Sequence, residues 1–190
     1  MRAVLLRIMS AGLALAISFG YANAIEIKEV TSPGGITAWL VESKSIPLIA
    51  MDFSFEGGST SDPAGKEGTA HFITGMMDEG AGDLDSAAFQ ALRDELAVRI
   101  SFDSGMDQFE GSLQTLSKNR EQAFGLLKKV LTAPHFEKTA MERVRQQFLL
   151  SARNDEQDPE TIASRAWMKL AFGDQLYARQ SNGTPESIAA

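Results

Sequence analysis

The chain has no cysteine and only two histidines among its 190 residues. The first absence excludes disulfide staples, thiolate metal sites and a cysteine nucleophile together. The second leaves little imidazole for metal binding or proton transfer. Cations are also in deficit, with 18 Lys+Arg against 25 Asp+Glu and a formal net charge of −7. Phosphate backbones and anionic lipid surfaces need clustered cations, so nucleic acid is excluded as a partner. Long hydrophobic runs are missing too. The apolar stretch Ile8–Phe19 falls short of the ~20 residues of a membrane span, so no stable membrane anchor is expected.

What is present begins with a targeting pattern. Arg2 and Arg7 form a basic start, the apolar stretch follows, and Ala22-Asn23-Ala24 is a small-x-small cleavage site. Residues 1–24 therefore read as a signal peptide cut after Ala24, which implies a periplasmic or secreted protein. Cleavage removes two arginines and no acid, leaving 16 Lys+Arg against 25 Asp+Glu, a net charge of −9. Residues 25–190 are enough for one domain with a proper core. Hydrophobic content of 44% and charged content of 23% separate it from disordered sequence.

In chain order, Ile25–Val30 alternates apolar and charged residues, which predicts a half-buried strand. Ser32-Pro33-Gly34-Gly35 turns the chain into a second strand, Ile36–Glu42, forming a hairpin. Leu48–Phe55 predicts a third strand with Ile49, Met51, Phe53 and Phe55 on one face. Glu56–Gly68 is loop. A helix carrying His71 follows and is expected to run to Gly80. Asp85 caps a helix to about Val98, buried through Phe89, Leu92 and Leu96. Two strands flank Gly105, Arg99–Ser104 and Met106–Leu116. Ser117 is expected to cap a helix over Lys118–Leu131, buried through Ala123, Leu126, Leu127 and Val130. A long helix over Glu137–Asp155 carries Met141, Val144, Phe148 and Leu149 in helical spacing. Asp158-Pro159 opens another to about Phe172, with Ile162, Ala166, Met168 and Leu170. From Gly173 the chain reads as loop with no closing element. Hairpins interleaved with helices predict an α+β fold, a mainly antiparallel sheet packed with helices.

Few residues could carry chemistry. A zinc site needs imidazoles converging on one metal, usually four residues apart on a helix face. Four residues after His71 stands Gly75, which has no side chain. Asp78 and Glu79 are read on the same helix, where seven residues rise about 10.5 Å. His135 follows a proline in a helix-helix connection, with no spacing that pairs it to His71. No serine occupies a nucleophile elbow, and the glycines near 80 fit neither a phosphate loop nor a calcium loop. His71 is thus read as a structural histidine at a helix start, with a metal ligand as the alternative.

Several stretches in order nevertheless resemble a known family. They are Gly58-Ser59-Thr60-Ser61-Asp62, Gly68-Thr69-Ala70-His71-Phe72, Asp103, Gly105, Phe109-Glu110-Gly111-Ser112, and Glu142-Arg143-Val144-Arg145 leading to Asp158-Pro159. Together they resemble the N-terminal domain of the insulinase/pitrilysin peptidases of family M16, the group of mitochondrial processing peptidase. The resemblance implies the LuxS-like metallohydrolase fold and a His-x-x-Glu-His zinc helix, with a further Glu ligand on a later helix. Carried over residue by residue, His71 stands for the first His. Thr74 occupies the general-base position and Gly75 that of the second His. The distal Glu falls near Leu150 and Ser151, where no carboxylate stands. One ligand survives and the base does not, so His71 is a vestigial ligand and no bound cofactor is expected.

The family commonly works as a two-subunit clamp in which one subunit has lost zinc. The resemblance therefore implies a non-catalytic subunit paired with an active zinc-bearing homologue around a peptide substrate. It also implies a second domain of similar fold, absent here, so the chain reads as truncated. Two alternatives stay open: a zinc metallopeptidase with an atypical site around His71, Asp78 and Glu79, or a free-standing periplasmic binding or scaffold domain.

Overall fold

The computed structural model describes residues 26–190, so the signal-peptide pattern and Ile25 lie outside the described residues. The chain divides into two compact units, the second starting at Pro47.

The described part of the first unit is the expected hairpin. Strand β1 (Ile27–Thr31) pairs antiparallel with β2 (Thr37–Val41), from Ile27↔Val41 to Thr31↔Thr37. The turn is set by Ser32, whose carbonyl accepts from Gly35 N at 2.9 Å and whose Oγ accepts from Ile36 N at 3.0 Å. The half-buried strand expected from alternation is not what forms: every residue of both strands is exposed. Apolar side chains stand on both faces, so the alternation does not sort them into a wet and a dry side.

The second unit is built on a three-stranded antiparallel sheet in the order β3-β7-β6. Strand β3 (Leu48–Glu56) runs along β7 (Gln108–Leu116) in unbroken register, Leu48↔Leu116 to Glu56↔Gln108. Strand β6 (Arg99–Ser104) covers the other edge of β7. Period-two alternation holds here. Ile49, Met51 and Phe53 turn inward with Leu113 and Ile100, while Asp52, Ser112 and Ser101 line up on the wet face. Phe55, expected inward, is 49% exposed at the strand end.

Among the described residues, six helices follow the chain around this sheet, and the first three supply its core cover. Their order is α1 (Thr69–Met76), α2 (Ser86–Glu95), α3 (Arg120–Thr132), α4 (Lys138–Asp155), α5 (Pro159–Phe172) and α6 (Pro185–Ala189). The core joins Met77, Phe89, Leu96, Val98, Ile100, Leu113, Leu126, Leu127 and Val130. Phe89 and Val130 are fully buried, as helical spacing predicts.

Helix boundaries depart from expectation at four places, each for a local reason. Helix α1 stops at Met76 rather than Gly80, because the chain turns into a two-rung ladder between β4 (Gly80–Ala81) and β5 (Leu84–Asp85). Helix α2 starts on its Asp85 cap, whose carboxylate accepts from Ala88 N at 2.8 Å. It ends by Leu96 because Ala97 adopts φ 48°, the left-handed turn that closes helices. Ser117 does not cap α3. A 3₁₀ turn, Ser117–Asn119, comes first, and Asn119 gives its amide to Leu96 O at 2.6 Å. The segment after Gly173 is not all loop. Thr184 and Ser187 form a reciprocal capping box at the start of α6, and Ile188 packs on Leu149 and Ala152.

Helix α5 forms where Asp158-Pro159 places it, with Asp158 accepting from Thr161 N at 2.8 Å. It buries no residue fully; Leu170 is 84% and Trp167 68% exposed. Among the described residues, no helix is long and apolar enough to cross a membrane.

Candidate functional site

The start of α1 is fixed by a residue well upstream. Asp62 is buried, and its two carboxylate oxygens accept from Gly68 N at 2.7 Å and Ala70 N at 2.9 Å. A carboxylate on the free N–H groups of a first turn satisfies them and meets the positive end of the helix dipole. Gly68 enters the helix at φ 90°, and a Cβ there would lie 2.7 Å from Gly183 Cα. Only glycine suits that crossing. Helix spacing gives no hint of this cap, since Asp62 is six residues from the first N–H it serves.

His71 sits on the first turn, half-buried. Its ring is stacked on Phe148 of α4, with centroids 4.6 Å apart and planes 15° from parallel. Phe72 meets the same Phe148 ring edge-on at 5.6 Å, and the Arg145 guanidinium lies 5.8 Å from the centroid of Phe72. Burial lowers the imidazole pKa, since desolvation disfavours the cation; the charges of Asp103 and Asp155 partly oppose this. The neutral ring is therefore the favoured form, suited to stacking.

The neighbouring positions offer no catalytic group. Thr74 Oγ donates to His71 O at 2.7 Å, a hydroxyl spent on its own helix backbone. Gly75 faces Val144 and Phe148. Leu150 and Ser151 are exposed, and the α4 side chains that meet Gly75 are Val144 and Phe148.

Asp78 and Glu79 lie beyond the end of α1, which corrects their expected place on the helix. Asp78 pairs with Arg93 at 3.4 Å, and its carbonyl accepts from Gln90 Nε2 at 3.0 Å. Glu79 is buried and engaged by Arg143 of α4 and by Ser86 Oγ at 3.0 Å. Both carboxylates are engaged by structural partners, Asp78 by Arg93 and Glu79 by Arg143 and Ser86. His135 is likewise occupied. Its amide donates to Gly80 O at 2.9 Å, and Nε2 lies 2.8 Å from Gly82 O, tying the α3–α4 connection to the β4–β5 turn. Among the described residues, no group of three or more His, Asp or Glu could hold a metal ion.

The pattern that describes the family "Insulinase (Peptidase family M16)" matches residues 40–184, well over half of the chain. The chain belongs to the M16 family. Its similarity to a curated protein, "Non-peptidase homolog YmxG" of Helicobacter pylori, is 25% identity over 147 residues, covering 77% of this chain and 34% of that protein. The fold matches the crystal structure of a peptidase M16 inactive domain from Pseudomonas fluorescens with a TM-score of 0.80 and 26% identity, covering 86% of this chain and 40% of that one. Pitrilysin superposes with a TM-score of 0.71 at 15% identity, over 88% of this chain and 18% of its own, a likeness of fold alone. The chain thus spans about a third to two fifths of the first two relatives' length.

Zinc on the M16 plan does not fit the residues present. Position 74 offers a hydroxyl already donated to the backbone, and position 75 offers no donor. A lone, half-buried imidazole is one ligand where a zinc site needs at least three from the protein. This is an M16 domain with a degenerate site: the scaffold stands and the metal-binding set does not.

Proposed function

We propose that this chain is a non-catalytic M16 subunit that pairs with an active, zinc-bearing homologue to enclose a peptide substrate. The observation that carries the reading is the contrast at α1. The domain keeps the M16 fold at a TM-score of 0.80 to an inactive M16 domain, while Thr74 and Gly75 stand where the base and second ligand belong. A domain whose scaffold persists without its chemistry is suited to shape a chamber or hold peptide while another subunit cuts. The amino-terminal pattern supports export, with the signal peptide cut after Ala24 and the pair working in the periplasm or outside the cell.

The test is co-expression of the full chain with a His-x-x-Glu-His homologue from the same genome. The two are expected to co-elute in size exclusion, and only the pair, or the homologue alone, should hydrolyse peptide. Failure to associate at micromolar concentration counts against pairing. Stoichiometric tight zinc on this chain alone, with peptide cleavage abolished by His71→Ala, overturns the non-catalytic reading.

A further inference from the structure

The contact that decides the α1–α4 packing involves no polar donor. A Cβ built on Gly75 meets Phe148 Cζ at 2.8 Å and Val144 Cγ1 at 3.0 Å. Carbon atoms in a packed interior do not tolerate such distances, so any side chain at 75 forces a neighbour to move. Phe148 is partly buried, and moving it would break its aromatic contacts. The His71 ring covers one of its faces at 4.6 Å, and Phe72 meets it edge-on at 5.6 Å. Val144 is more tightly held, at 2% exposed. The space that a second imidazole on α1 would enter is therefore filled from α4.

We propose that Phe148 is a packing lock seated on Gly75. The cross-link between α1 and α4 that a shared metal would supply is made here by the His71–Phe148–Phe72 cluster. The site is closed to Zn²⁺ by volume as well as by its missing donors. Stacked and edge-to-face aromatic pairs add specific attraction to the area they bury, so the cluster both fills and fastens the interface. The lock is independent of any partner, and its test does not require one.

One double-mutant cycle and one paired comparison on the full chain decide it. In the first, Gly75→Ala and Phe148→Ala are combined and melting temperatures compared. Gly75→Ala is expected to lower the Tm by roughly 5 °C with Phe148 present. In the Phe148→Ala background it is expected to be neutral or stabilising, because alanine is the better helix former. In the second, Gly75→His creates a pair of histidines, with His71, one helical turn apart, and Zn²⁺ binding is followed by calorimetry. Two imidazoles make only a partial, weak site, and within that limit Gly75→His alone is expected to bind at least tenfold more weakly than Gly75→His/Phe148→Ala. If neither histidine variant folds, the alanine cycle is sufficient to support or overturn the lock. The proposal is overturned if Gly75→Ala costs the same in both backgrounds, or if Gly75→His binds Zn²⁺ equally well with Phe148 in place.

Discussion

Arg143 of α4 reaches down to the carboxylate of Glu79, a buried residue in the turn between α1 and β4. The same carboxylate accepts from Ser86 Oγ at the first turn of α2. One side chain thus ties together the end of one helix, the start of the next and the flank of a third. With its guanidinium half in water, Arg143 costs little to desolvate, whereas the buried Glu79 cannot do without a partner.

Removing that partner is therefore expected to be costly. Arg143→Ala should destabilise the protein by about 1–3 kcal/mol, measured by urea unfolding. Glu79→Gln keeps the hydrogen-bonding shape without the charge and should cost less. Equal losses would argue against the charge as the cause.

Asp62 holds the entrance of α1 with two hydrogen bonds. Asp62→Ala orphans two backbone donors at a helix start, and a loss of about 2 kcal/mol is expected. Amide hydrogen exchange at Gly68 and Ala70 should accelerate well before the core strands open, because the damage is local.

His71 should make stability depend on pH. Its folded-state pKa lies below the ordinary value of about 6.5, so the unfolded chain binds the proton more readily. The stabilising contribution is complete above pH ~6.5 and is lost as the pH falls through that value towards the lower folded one. His71→Phe, which keeps the stacked ring and cannot titrate, should flatten the Tm profile between about pH 7 and 5. An unchanged slope in that variant would assign the effect elsewhere.

Two apolar residues should differ in cost. Phe89 is 1% exposed in the core, and Phe89→Ala should cost about 3–5 kcal/mol. Leu170 is 84% exposed on α5, and Leu170→Gln should stay within about 0.5 kcal/mol. Denaturant midpoints with unchanged slopes would measure both.

Much of this architecture is legible before any coordinates. A one-face pattern locates β3, the two strands β6 and β7 are read on either side of Gly105, helical spacing identifies Phe89, Ala123, Leu126, Leu127 and Val130 as buried, and Asp85 and Asp158 announce their helices. Such signals are local, set by the pleat of a strand, the pitch of a helix and the orphaned donors of a first turn. Thr74 and Gly75 carry neither a carboxylate nor an imidazole, and that needs no structure to be noticed.

Other features depend on residues far apart in the chain. Asp62 reads as one more polar loop residue until the fold lays its carboxylate on Gly68 and Ala70. Asp78 and Glu79 look like helix residues near a histidine, and only the β4–β5 turn with Arg93 and Arg143 moves them into separate ion pairs. Gly75 reads from sequence as a lost ligand position. The structure adds that Phe148, far along the chain on α4, occupies the space beside it. Residue identity alone says which side chains α1 carries, a single imidazole at His71 and none at Gly75. What fills the space beside Gly75 was decided by the crossing of α1 and α4, because packing depends on which side chains the fold brings within van der Waals distance.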